Sequence, residues 1–158
     1  MQTRMKNPAM VVPDVMQNLV ALGGLVKRSG VPLTTLYLVH LRASQINGCT
    51  LCADLHSREL KEAGATDERL FTVAAWRDSP SFDDAERAAL SLTEAVTRLS
   101  DRSDPVPDAI WSEAAAHYDE SALAILLLNI AMINFWNRLS VPTRQPPMPT
   151  AARRPQTA

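Results

Sequence analysis

A chain of 158 residues with 46% hydrophobic and 21% charged side chains is long and apolar enough for one domain with its own core, which excludes general disorder. A formal net charge of −1 removes the electrostatic case for nucleic acid. Two cysteines are too few for a secreted disulfide scaffold, and their close spacing points to redox or metal chemistry in a reducing cytosol, so a cytoplasmic location is expected.

In chain order, Met1 to Met10 mixes Arg4, Lys6 and Asn7 with no apolar core, so no secretory signal is expected. Only five glycines occur and no run shows strand alternation, so the expected fold class is all-α, a bundle of about six to seven helices. A first helix is expected from Pro13 to about Arg28, with Gly30 beyond its end. Pro32 opens a second through Leu33, Leu36, Val39, Leu41 and Ala43, which Asn47-Gly48 breaks. A third carries both cysteines and stops at Gly64, a residue suited to a left-handed cap. Thr66 caps a fourth, with Asp67 and Glu68 in its first turn and Leu70, Val73 and Ala74 on its apolar face. Ser79-Pro80-Ser81 is a linker.

Asp83 and Glu86 have capping-box spacing and start a helix to about Leu99. Ser100 to Pro107 reads as a polar loop, followed by a short helix from Asp108 to about His117. The last helix, near Ser121 to Leu139, is apolar almost all round and should be central or buried at a subunit contact. Its apolar run, Ala122 to Trp136, carries Asn129 and Asn134 and is shorter than the roughly 20 residues of a membrane span, so no membrane is expected. Residues 142–158 hold several prolines and arginines and read as a flexible tail on a domain of residues 1–141.

The segment Cys49-Thr50-Leu51-Cys52-Ala53-Asp54-Leu55-His56 holds both thiols. At about 100° per helical residue, Cys49, Cys52 and His56 fall on one stripe. Thiols attack as thiolates, and a helix N-terminus or an imidazole favours that form. The two cues point to different sulfurs. Cys49 is nearer the helix start, while His56 lies one turn after Cys52 and can take its proton. Zinc is a competing reading, since Cys, Cys and His are all ligands, with a fourth from His40, His117 or an acidic residue. The plain alternative is a pair of small buried hydrophobes.

The run from Leu41 through Asn47-Gly48-Cys49-Thr50-Leu51-Cys52 to His56 resembles the core signature of the AhpD-like alkylhydroperoxidases, in the carboxymuconolactone decarboxylase superfamily. Trp76-Arg77-Asp78-Ser79-Pro80, Ala85 to Leu90 and Ile133 to Leu139 fit its longer pattern, and the likeness spans residues 12 to 141. The superfamily's decarboxylases lack the cysteine pair. The resemblance implies an all-helical AhpD-like bundle, a homo-oligomer and a thiol peroxidase that needs no cofactor or metal. It makes Cys52 the sulfur that attacks peroxide, Cys49 the resolving thiol and His56 part of a proton relay. Family members complete that relay with a Glu twelve residues before the first cysteine, where this chain has Tyr37. A His common between the family's cysteines is replaced by Leu51. Tyr37 can donate a hydrogen bond but is a poor base near neutrality. His40, on the same helical face, and Glu86 are further relay candidates.

The expected function is thus reduction of organic hydroperoxides through a dithiol/disulfide cycle, with a lipoyl- or thioredoxin-type dithiol as the recycling partner. The alternatives are a dithiol–disulfide oxidoreductase or redox sensor with little peroxidase activity, and a non-enzymatic helical oligomer. Arg42, Ser44 and Asn47 are expected to fix the turn before the cysteines, and Asn134, Asn137 and Arg138 to tie the last helix to it.

Overall fold

The computed structural model describes residues 2–27, 30–101 and 103–147. Among them there is no strand, and eight α-helices follow one another: α1 (Pro8–Val11), α2 (Val15–Lys27), α3 (Leu33–Ile46), α4 (Thr50–Glu62), α5 (Asp67–Thr72), α6 (Asp84–Thr97), α7 (Asp108–His117) and α8 (Glu120–Thr143). Short 3-10 turns occupy Val73–Asp78 and Leu99–Asp101. Eight helices exceed the six to seven expected. The extra one is α1, a single turn too short to carry a periodic pattern.

Local chemistry explains most boundaries. Thr66 caps α5 by accepting from the Arg69 amide, and Asp83 and Glu86 form a reciprocal capping box on α6. Gly48 and Gly64 take the left-handed backbone, at φ 68° and 96°, that lets α3 and α4 end in tight caps. The first long helix begins at Val15 rather than Pro13, because Asp14 sits at φ 64° and breaks the helical path.

The last helix differs from expectation at its far end. It runs through Pro142 to Thr143 instead of stopping near Leu139. Its terminal carbonyls find donors in the N-terminal segment: the Arg4 amide reaches Thr143 O at 3.0 Å and Arg4 Nη1 reaches Pro142 O at 3.1 Å. The flexible tail expected after it lies, from residue 148 on, outside the described residues.

α3 is the central element and packs on α4, α6 and α8. One core cluster joins Leu36, Val39, Leu92, Leu126 and Ile130, and a second joins Leu38, Leu41, Leu60, Val73, Trp76 and Leu90. Each such burial contributes about 1.5–3 kcal/mol. A small third cluster, Ala43, Cys49, Cys52 and Ile133, sits where α3, α4 and α8 meet. By length and composition α8 reaches the range of a membrane span, unlike the shorter apolar run within it. Its inner face nonetheless carries Asn129, Asn134, Asn137 and Ser140, all buried, and the three asparagines are hydrogen-bonded into the bundle. That is the packing of a core helix.

Candidate active site

The turn that presents the cysteines is held from both ends. The Cys49 amide donates back to Ser44 O at 3.0 Å and the Gly48 amide to Gln45 O at 3.3 Å, closing α3 in a Schellman cap. Asn47 Nδ2 donates to Asn134 Oδ1 at 2.9 Å and to Asn137 Oδ1 at 2.8 Å. Asn137 Nδ2 then donates to Ser44 Oγ, whose hydroxyl donates to His40 O at 2.7 Å. Arg138 holds Asn134 through Nη1 at 3.1 Å. Ser44, Asn47, Asn134, Asn137 and Arg138 therefore do what their positions suggested. Arg42 instead joins a second buried cluster, around Glu94.

Cys49 is the N-cap of α4, and its sulfur accepts from the Cys52 amide at 3.3 Å. The two cysteines are joined as a disulfide with Cα atoms 5.3 Å apart, and both are buried. With both sulfurs bonded to each other, neither is a metal ligand in this state. Cys49 has the backbone donors of the helix start, and Cys52 shares its helical face with His56, so the two cues still separate the two sulfurs. A cavity of about 240 Å³ opens beside Cys49, between Gly48 and Thr50 on one side and Ser140, Val141 and Arg144 on the other.

His56 lies one turn after Cys52 and is buried. Its Nδ1 is 2.7 Å from Glu59 Oε2, and Glu59 Oε1 accepts from Lys27 Nζ at 3.2 Å. Burial opposes ionisation of Glu59, but the hydrogen bond and charge of His56, with Lys27, outweigh it and hold the carboxyl below its usual range. Burial likewise works against the Lys27 ammonium, and the Glu59 charge together with the Tyr37 hydroxyl overcomes it and raises that pKa. Lys27 Nζ also sits 5.0 Å from the centre of the Tyr37 ring. Tyr37 is thus partly buried against the second core cluster, beneath an ammonium that itself holds Glu59.

The His40 ring centre is 4.5 Å from that of His56, with the planes tilted by 57°. His40 is buried, and neither ring nitrogen meets a partner in full hydrogen-bond geometry, although the Asn129 side chain is near enough to favour its charged form. Burial, reinforced by the neighbouring His56, pushes its pKa down to about 3, so it is neutral near pH 7. Glu86 is engaged elsewhere: it closes the capping box of α6 and pairs with Arg69. His117 ends α7 and lines a different cavity with Tyr118 and Asp83.

The structure therefore gathers His40, His56 and the cysteine pair at the α3–α4 junction. It adds two residues that sequence reasoning missed. Glu59 was open to discovery, since it stands three residues after His56 on the same helix. Lys27 was not, because only tertiary packing brings α2 to α4.

The chain matches the sequence profile of the carboxymuconolactone decarboxylase family over residues 13–95. It is 34% identical over 131 residues to the uncharacterized protein YdfG of Bacillus subtilis, covering 83% of this chain and 88% of that one. A 50-residue stretch is 43% identical to the alkyl hydroperoxide reductase AhpD of Methylocella silvestris, covering 32% of this chain and 28% of that enzyme. A crystal structure from Agrobacterium tumefaciens, of a protein of unknown function described as a candidate AhpD antioxidant defence protein, superposes with a TM-score of 0.86 at 32% identity. That likeness covers 94% of this chain and 99% of the other.

Proposed function

The chain belongs to the carboxymuconolactone decarboxylase family, within its AhpD-like branch, and on that premise we propose that it is a thiol peroxidase acting on organic hydroperoxides. The observation that carries this reading is the Cys49–Cys52 disulfide at the start of α4, with the buried His56 and its partner Glu59 one to two turns further on. In the reduced enzyme His56 takes the Cys52 proton, and the thiolate attacks the outer peroxide oxygen. The O–O bond breaks, the alkoxide receives that proton back and leaves as an alcohol, and Cys52 becomes a sulfenic acid. The Cys49 thiol then attacks the Cys52 sulfur, and water leaves as the disulfide forms. A dithiol of the lipoyl or thioredoxin type restores both thiols, approaching through the cavity beside Cys49.

Glu59 keeps one His56 tautomer and stabilises the imidazolium as it forms, the task the family assigns to a carboxylate at the position of Tyr37. This supports peroxidase chemistry despite the tyrosine. The exposed apolar side chains Val20 and Leu25 on α2 and Leu128 and Phe135 on α8 support a homo-oligomer.

Intact mass of the reduced protein before and after one equivalent of an organic hydroperoxide tests the reading. The expected result is loss of two hydrogens, abolished by Cys52→Ser, with Cys49→Ser trapping a product one oxygen heavier. An unchanged mass with both thiols free would reject it. One observation favours a second reading, a dithiol–disulfide oxidoreductase: the disulfide borders an open cavity through Cys49, which suits exchange with a partner thiol. Fast exchange with lipoyl or thioredoxin partners without peroxide turnover is its signature.

A further inference from the structure

Among the described residues, both ring nitrogens of His40 are buried polar atoms outside full hydrogen-bond geometry. The side chain is buried on α3. An unpaired buried polar group is costly, and native proteins retain one where a water, an ion or chemistry uses it. Its neighbours are not random. The ligating atoms of His40, His56 and Glu59 all lie within 4.8 Å of one another, on facing turns of α3 and α4. Two imidazoles and a carboxylate are a donor set for zinc, cobalt or nickel.

We propose that His40, His56 and Glu59 form a binding site for a divalent first-row transition metal, distinct from the cysteine pair. Both histidines are on rigid helices, and a neutral imidazole offers its lone pair without first losing a proton. Three protein ligands leave a fourth position open to water. Bonds of about 2.0–2.1 Å need ligand atoms about 3.3 Å apart, so the cluster closes by about 1.5 Å at its widest. Glu59 must also give up Lys27, whose side chain is 43% exposed and can turn to solvent. Metal binding occupies His56, so the metal-loaded state and the peroxide reaction exclude one another.

The test uses the disulfide form of the full chain, in which no thiol can bind metal, so it does not depend on the peroxidase reading. Titration with Co²⁺ is followed by its visible d–d absorption, and with Zn²⁺ by calorimetry. The expected result is one ion per chain at micromolar affinity, weakened at least tenfold by His40→Gln and by Glu59→Gln. Glu59 is partly exposed, so its variant remains informative should the buried His40→Gln misfold. Lys27→Gln should tighten binding several-fold by removing the ammonium that competes for Glu59. Absence of binding up to millimolar metal, or binding unaffected by both ligand variants, would overturn the proposal.

Discussion

Two carboxylates, Glu94 buried and Glu59 partly exposed, meet opposite fates. Glu94, on α6, is saturated: it accepts from Trp76 Nε1 at 2.9 Å, from Arg42 Nε at 2.7 Å and from Arg77 Nη1 at 2.8 Å, with Arg98 at 3.5 Å. Glu59, on α4, has one lysine and one histidine, and the histidine beside that pair meets no partner in full hydrogen-bond geometry. The Glu94 cluster ties α3, the 3-10 turn and α6 together, with every lone pair committed to holding shape. The Glu59 cluster leaves donors and acceptors uncommitted against the helix that carries the cysteine pair. Full satisfaction marks the structural latch, and incomplete satisfaction marks the place where protons or a metal can be accommodated.

This contrast can be broken by mutation, with effects on stability that should fall in order. Glu94→Ala strands Arg42 and the Trp76 indole in the interior and should cost about 3 kcal/mol in urea unfolding. A loss below about 1 kcal/mol would show that the cluster is not a latch. Asn47→Ala leaves the Asn134 and Asn137 carbonyl oxygens short of a donor and should cost about 2 kcal/mol, also measured in urea.

Acid titration sharpens the same point. Burial opposes the Glu94 charge, but the bonds from Trp76, Arg77 and Arg42 prevail and lower its pKa. A carboxyl that is more acidic when folded contributes fully above the unfolded value of about 4.5, and that contribution is lost as pH falls through the folded value. The native protein should therefore lose stability steeply below about pH 4.5, and Glu94→Gln should flatten that slope. Gly48→Ala places a side chain at φ 68° in open space, so only backbone strain opposes it. A cost of about 1 kcal/mol in thermal unfolding is expected.

The smallest stability effect should come from Glu59→Gln, within about 1 kcal/mol of the native protein, because its carboxylate is partly exposed and lightly held. Its effect on stopped-flow peroxide consumption should be about tenfold or more, since His56 loses the partner that stabilises its charged form. Large destabilisation with unchanged turnover would reverse the roles assigned to the two carboxylates.

Much of the fold was legible without coordinates because helix ends are local chemistry. Thr66, the Asp83–Glu86 box, Gly48 and Gly64 act within a few residues of themselves, and each terminates or starts the helix its position implies. The four-residue α1, the break at Asp14 and the run of α8 through Pro142 were not legible. Each depends on too few residues or on contacts with the far end of the chain.

The site divides the same way. The stripe of Cys49, Cys52 and His56 follows from helical spacing alone, as does the chance that Glu59 meets His56. Only tertiary structure decided that Lys27 would hold Glu59 across 32 residues, whereas the expected tie of Asn134 and Asn137 to the cysteine turn is met by Asn47 across 87 and 90. Tertiary structure likewise brought His40 of α3 against His56 and left its ring nitrogens outside full hydrogen-bond geometry, while Glu86 was spent on a helix cap and Arg69. Periodicity says which face a side chain occupies, and packing alone says which other face it meets.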